Sequence, residues 1–279
     1  MKIFITGGKG MVGSFLTDAF MERGETVYSP SRQEMDITDR KKVVDTIRKI
    51  NPDILIHCAA LTHVDECEID KKRAYLVNVI GTQHIIEGCA SVNCKMVYFS
   101  TDFIFDGKKG VPYSETDIPN PLNVYGHTKL LGEYCVSHFL HNFLILRVSK
   151  VFGAKGRNFA SLLPVLMLKE KKLFLTNNLI NSPTYIVDLA NALILLVKKD
   201  FLGIANICNK GECSWYKYAL KVKEILGRED TELIPIEFER FSKGKAERPR
   251  YSVLDTTLLE SIGCSMPEWE TSLKMYLAE

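Results

Sequence analysis

Lys2-Ile3-Phe4-Ile5-Thr6-Gly7-Gly8-Lys9-Gly10-Met11-Val12-Gly13 opens the chain and decides how the rest is read. Ile3 to Ile5 form an apolar run without an exposed face, as in a strand buried on both sides. Glycines then stand at 7, 10 and 13, and a segment of helical period follows to Arg23, with Phe15, Leu16, Ala19 and Phe20 on one face. Spaced glycines alone are weak evidence. Between a strand and a helix they permit a tight turn, let a pyrophosphate approach the backbone, and place it at the N–H groups of a helix start. The segment therefore predicts dinucleotide binding through Gly7, Gly10 and the helix-opening Met11 and Val12.

Moving outward, Thr26–Ser29, Asp53–His57, Lys95–Ser100 and Phe143–Arg147 read as further buried strands. Arg40 to Ile50 reads as a helix with Val43, Val44, Ile47 and Ile50 on one face. Alternation of strand and helix predicts an α/β fold, a doubly wound parallel sheet with ligands at the strands' carboxyl ends. After about residue 153 the alternation loosens into helical stretches (Phe159–Lys169, Ile186–Lys198, Ser214–Leu226) and shorter strand-like pieces (Leu173–Thr176, Ile204–Cys208, Glu232–Phe238). The expected organisation is a dinucleotide-binding domain over 1–152, rejoined by strands from about 180–210, and a smaller C-terminal α/β lobe over 153–279.

A chain of 279 residues, 46% hydrophobic, is long enough to bury such a core. Its 36 basic and 34 acidic residues are dispersed, which speaks against nucleic acid or an anionic membrane as partner. The nearest approach to a basic run, Lys243 to Arg250, is broken by Gly244, Glu247 and Pro249. The eight cysteines show no metal-binding spacing and read as reduced thiols; neither a metal nor a disulfide is expected. No apolar run is long enough to span a bilayer, and the apolar opening is too short for a signal peptide, so a cytoplasmic protein is expected.

The chain leaves its second strand through Ser29-Pro30-Ser31-Arg32, without the acidic residue that would grip a ribose 2′-hydroxyl. Two readings of Arg32 stand: a guanidinium for the 2′-phosphate of NADPH, or a solvated loop arginine. Asp36-Ile37-Thr38-Asp39 reads first as the cap of the next helix, with Asp36 and Ile37 beside the adenine as a secondary role.

Tyr125-Gly126-His127-Thr128-Lys129 begins a helix after the fourth strand, with tyrosine and lysine on one face. That strand ends in Ser100-Thr101-Asp102. The trio suits carbonyl reduction: Tyr125 gives the proton that the oxygen needs as hydride arrives, Lys129 lowers the phenol's pKa and binds the nicotinamide ribose, and Thr101 aligns the carbonyl. Asn78, in an otherwise apolar stretch, either bonds backbone carbonyls or a water leading to Lys129, or simply packs its helix. His57, His63 and His127 read as structural.

At these residues the chain resembles the dTDP-4-dehydrorhamnose reductase family of extended short-chain dehydrogenases, a Rossmann-fold family. The similar segments are Thr6–Gly13, Asp36–Asp39, Ala59–Asp65, Ser100–Gly107, Tyr125–Lys129, Asn158-Phe159, Ser182–Tyr185 with Asp188–Ala190, and Arg248–Ser252. The resemblance implies a catalytic trio of Thr101, Tyr125 and Lys129. It implies a cofactor, NADPH with NADH as the alternative, along Gly7, Gly10, Met11, Val12, Arg32, Asp36, Ile37, Ala59, Ala60 and Asn78. A 4-keto nucleotide sugar would meet Thr62, Val64, Asp102, Phe103, Lys150, Asn158 and Arg248; a homodimer is the one partner state considered, and the sequence does not fix it. Leu61, Phe103 and Lys150 replace the family's usual tyrosine, tyrosine and tryptophan, which leaves the sugar open. Phe103 also stands where a dehydratase would continue an Asp-Glu pair. A 4-epimerase and a non-catalytic NADP-binding subunit, like that of methionine adenosyltransferase, are the competing readings.

Overall fold

The computed structural model describes residues 1–154, 156, 158–240 and 242–279. The strands are β1 (Lys2–Thr6), β2 (Thr26–Tyr28), β3 (Ile54–His57), β4 (Lys95–Thr101), β5 (Phe143–Val148), β6 (Val151–Phe152), β7 (Lys172–Thr176), β8 (Thr184–Tyr185), β9 (Gly203–Ile207) and β10 (Glu232–Ile236). The helices are α1 (Met11–Met21), α2 (Arg40–Ile50), α3 (Val64–Ile69), α4 (Lys71–Tyr75), α5 (Gly81–Val92), α6 (Val124–Phe139), α7 (Phe159–Lys169), α8 (Ile186–Lys198), α9 (Trp215–Ile225), α10 (Thr257–Ser261) and α11 (Trp269–Leu277). A π-helical turn over Leu76–Ile80 joins α4 to α5.

The main sheet has the order β2-β1-β3-β4-β5-β9, with β1 parallel to both β2 and β3, and β3 parallel to β4. The chain winds one way from β1 to β2 and the other way from β3 onward. The crevice for a ligand therefore opens at the carboxyl ends of β1 and β3. Of the later strands expected to return to the sheet, β9 lies beside β5, whereas β8 pairs with β6 in a separate two-stranded sheet. Thr184 holds it there, its Oγ1 donating to the Ser149 carbonyl at 2.5 Å and its N–H to the Lys150 carbonyl at 3.2 Å.

Two compact units result. The first comprises Met1–Ile104, Pro121–Arg147 and Leu196–Ala205. Its core joins Phe4, Leu55, Met96 and Ile145 from the sheet with Val43 and Ile47 from α2, all fully buried. Asp39 caps α2 as its position suggests, accepting from the Lys42 N–H at 3.1 Å. The second unit comprises Phe105–Asn120, Val148–Leu195 and Asn206–Glu279. It carries the parallel pair β7/β10 and an aromatic core in which Phe152 stacks on Tyr185 at 5.5 Å and Tyr218 on Trp269 at 5.7 Å. None of the eight cysteines forms a disulfide. Among the described residues no helix is long and apolar enough to cross a membrane, and no cluster of His, Cys, Asp or Glu could hold a metal.

Helix α6 is fastened to β5 by a buried ion pair. Arg147 donates to both Glu133 oxygens, at 3.1 and 2.8 Å, and both side chains are 3% exposed. Removing one partner leaves the other charge buried, so Arg147→Met is expected to destabilise the protein by about 3–5 kcal/mol. Urea denaturation measures this; a loss below about 1 kcal/mol would show that water reaches Glu133.

Candidate active site

The first unit's crevice is built from a close approach of two strand exits. Gly7 has φ +69°, and a Cβ on it would stand 2.8 Å from the Ala59 nitrogen, so no side chain fits. Ala59 N–H donates to Thr6 Oγ1 at 3.1 Å and joins the ends of β1 and β3. Beside them lies a cavity of about 270 Å³, lined among others by Gly7, Gly10, Arg32, Asp36, Ile37, Ala59 and Ala60. Met11 and Val12 begin α1 at half-buried positions, and no side chain caps that helix at Gly10. Lys9, Leu61 and Arg73 also line the cavity. The sequence reading did not assign them to cofactor contact; Arg73 in particular arrives from α4, a helix that the apolar pattern did not separate.

Arg32 lines the cavity and is paired as well: its Nε lies 3.0 Å from an Asp36 carboxylate oxygen. Partial burial works against the Asp36 charge, but hydrogen bonds from Thr38 and Arg32 outweigh it and hold the carboxyl below its usual range. Asn78 bonds a backbone carbonyl, the first of the roles considered for it. Its Oδ1 accepts from Leu61 N–H at 2.7 Å, and its Nδ2 donates to the Leu61 carbonyl and to Thr128 Oγ1, both at 3.0 Å. It clamps the loop after β3 to α6. His63 sits exposed at the start of α3, and His127 is held by the Tyr75 hydroxyl at 2.8 Å.

Thr101 ends β4, and the Tyr125 phenol stands near it. Thr101 Oγ1 accepts from Phe103 N–H at 3.2 Å and donates to Asp102 Oδ1 at 3.1 Å. Asn123 caps α6 by accepting from Gly126 N–H at 2.9 Å, so Tyr125 falls in the first turn. Gly126 is bare against the Phe103 carbonyl, where any Cβ would clash, and the Phe103 ring meets Tyr125 edge-on at 5.8 Å. Lys129 is buried, its ammonium 4.1 Å above the Tyr98 ring centroid, while the Tyr98 hydroxyl donates to the Lys129 carbonyl at 3.1 Å. Nothing in a strand-interior tyrosine marks it as a lysine's seat.

The electrostatics depart from the sequence reading. A lysine ammonium was expected to lower the Tyr125 pKa; instead burial pushes the phenol up, with the Thr101 hydroxyl opposing and the Asp102 charge adding. Burial likewise brings Lys129 down to about 7, resisted by Glu133 and Cys58. Desolvation penalises both charged forms more than the neighbours restore them. Tyr125 is thus a phenol at neutral pH, which suits a proton donor.

The second unit has its own pocket of about 340 Å³, lined in part by Lys150, Trp215, Phe238, Lys245 and Arg248. Lys150 takes φ +43° and lays its ammonium 5.0 Å from the Trp215 ring centroid. Arg248 stacks 5.1 Å over Phe238 and donates to the Ala246 carbonyl at 2.5 Å. Asn158 caps α7, accepting from Ser161 N–H at 3.0 Å, and donates to the Val151 carbonyl at 2.6 Å. The other residues expected at substrate belong to the first unit: Thr62 is exposed, Val64 opens α3, and Asp102 and Phe103 are buried in a 3-10 turn. Sequence reasoning missed Trp215, Phe238 and Lys245. The broken run Lys243 to Arg250 was the signal for Lys245: it brings two of its cations to one pocket.

The family model for the RmlD substrate binding domain matches residues 1–279. A spore coat polysaccharide biosynthesis protein of Bacillus subtilis is 34% identical over 278 residues, covering 100% of this chain and 97% of that protein. A dTDP-4-keto-6-deoxy-D-glucose reductase of Streptomyces niveus is 31% identical, covering 96% and 94%. Among solved structures, dTDP-4-dehydrorhamnose reductase from Bacillus anthracis in complex with NADP superposes with a TM-score of 0.95 at 32% identity, covering 99% and 98%.

Lys129 makes stability depend on pH. In the unfolded chain it keeps its proton up to about 10.5, and in the folded protein it releases it near 7. Between those values the unfolded state binds more protons, so its contribution to stability rises with pH and is least below 7. Lys129→Met should flatten that slope in the cofactor-free protein, as followed by urea midpoints across the window; parallel curves for the two proteins would contradict the burial of an amine there.

Proposed function

The chain belongs to the dTDP-4-dehydrorhamnose reductase family, and from that membership we propose that it is an NADPH-dependent oxidoreductase reducing the 4-keto group of a nucleotide-linked deoxysugar. The observation that carries the reading is the place of Thr101 at the carboxyl end of β4, with the Tyr125 phenol beside it and Lys129 one turn along α6. In this reading the first unit binds the dinucleotide and the second the nucleotide sugar. Cysteines without disulfides support a cytoplasmic setting.

The residues present fit the cofactor. The bare Gly7 lets the ends of β1 and β3 close on each other beside the cavity, at the start of a helix with no acidic residue in its first turn. Gly7, Gly10, Ala59 and Ala60 would hold it, and Lys9 and Arg32 would face its phosphates. When bound, the reduced nicotinamide supplies hydride to the carbonyl carbon. Thr101, its oxygen held by the Phe103 N–H, would turn its hydroxyl hydrogen from Asp102 to the carbonyl oxygen and orient it. Tyr125, kept a phenol by burial, gives its proton to that oxygen as negative charge develops. Lys129, with a pKa near 7, is matched to restore the Tyr125 proton. In the second unit, Lys245 and Arg248 suit a pyrophosphate, and the Trp215 and Phe238 rings suit a base. Lys150, resting on Trp215, favours a polar or anionic group on the sugar.

The assay is NADPH oxidation on presentation of a panel of 4-keto nucleotide sugars, with dTDP-4-dehydrorhamnose among them; no consumption with any member would remove the reading. Tyr125→Phe should cut turnover by about 10²–10⁴-fold while NADPH affinity stays near that of the parent. Turnover like the parent's would take Tyr125 out of the mechanism.

Arg32→Ala should weaken NADPH more than NADH, since only the former has a 2′-phosphate for a charge-assisted bond. Fluorescence titration of both cofactors decides it. An equal change for the two would leave Arg32 as the partner of Asp36 alone.

A further inference from the structure

Behind the cavity of the first unit runs a chain of hydrogen bonds through side chains at or below 1% exposure: Thr6, His57, Thr82, Asn78 and Thr128. Its directions can be worked out. The Thr82 hydroxyl gives its one hydrogen to the main-chain carbonyl of Asn78, 2.7 Å away. At its 3.1 Å contact with His57 Nε2 it is therefore the acceptor, and Nε2 carries the proton. In a neutral ring Nδ1 then has only a lone pair, so the Thr6 hydroxyl, 2.7 Å away, donates to it. Thr6 Oγ1 in turn accepts from Ala59 N–H at 3.1 Å. Every hydrogen points the same way, from the cavity wall at Ala59, through the histidine, to the π-helical turn that bears Asn78.

Asn78 continues the chain in both directions. Its amide closes a two-bond clamp on the Leu61 backbone, at 2.7 and 3.0 Å, and reaches Thr128, whose hydroxyl donates to the Tyr125 carbonyl at 2.9 Å. Ala59 and Leu61 line the cavity, and Tyr125 belongs to the catalytic trio. His57 does not line the cavity. We infer that His57 is a positioning residue: a neutral, Nε2-protonated imidazole that couples the Ala59–Leu61 wall of the dinucleotide cavity to the turn holding the catalytic helix. The inference rests on the reading of that cavity as the cofactor site.

The chemistry requires this residue type. The position must accept from Thr6 on β1 and donate to Thr82 on α5, and a neutral imidazole does both with one rigid ring. A protonated ring would present two donors and leave the Thr6 hydrogen without an acceptor. Burial and the Lys129 charge hold the His57 pKa down to about 3, so the ring stays neutral. A histidine that merely filled the core would affect stability alone. One that sets the cavity wall also affects cofactor affinity.

The test is NADPH titration of the full chain and of His57→Leu, Thr82→Val and the double variant. Each single change leaves a buried polar group without its partner, and each is expected to raise the NADPH Kd about tenfold. The double variant should lie close to either single one, because both cut the same chain. His57→Gln, which again offers an acceptor and a donor, should recover part of the affinity. Unchanged Kd values alongside lowered melting temperatures would reduce His57 to a core residue. Should His57→Leu fail to fold, Thr82→Val carries the same test. Long-range proton–nitrogen NMR of the unaltered protein is expected to find the His57 proton on Nε2 between about pH 5 and 8; the opposite tautomer, or a charged ring, would overturn the inference. If the unaltered chain itself fails to bind NADPH, the cofactor reading falls and this one with it. If it binds and the variants bind equally well, only the role of His57 falls.

Discussion

The contact on which the rest depends is the approach of the bare Cα of Gly7 to the backbone of Ala59. It exists because β1 and β3 are parallel neighbours whose connections wind to opposite sides of the sheet, so their exits share one crevice. A side chain at residue 7 would part the exits, and the Thr6–Ala59 hydrogen bond would lengthen with them. The cavity beside these residues, the orientation of α1 and the seat of the clamp at Asn78 all follow from that spacing.

The side chains proposed to react are drawn partly or wholly out of water, Tyr125 half-buried and Lys129 buried. Tyr125 and Lys129 sit where burial disfavours phenolate and ammonium alike, which leaves a proton on the phenol and brings the amine's pKa near neutrality. The cost is offset locally. The Tyr98 ring lies beneath the Lys129 ammonium, and Glu133, held by Arg147, places a fixed negative charge one turn further along α6. Desolvation and counter-charge are set against each other on a single helix, a balance that in the proposed reading serves proton transfer at neutral pH.

Local pattern carried much of this structure into view. The helices Arg40–Ile50, Phe159–Lys169 and Ile186–Lys198 end where their apolar period ends, and the Gly7–Gly13 turn stands where its spacing put it. Tyr125 and Lys129 were legible because four residues on a helix fix a shared face whatever surrounds them. The π-helical turn at Leu76–Ile80 was not, since Asn78 has its reason in Leu61 and Thr128, 17 and 50 residues away along the chain.

The sequence by itself determined the parallel sheet, the glycine turn after β1 and the candidate trio, because each rests on spacing within a few residues of chain. Only the tertiary structure decided what those residues are electrostatically and what holds them. That Tyr125 is a phenol, that Lys129 rests on Tyr98, that Lys150 rests on Trp215 and that His57 links Thr6 to Thr82 depend on burial and on partners distant in sequence. Desolvation and hydrogen-bond direction are properties of the packed interior, and no linear pattern encodes them.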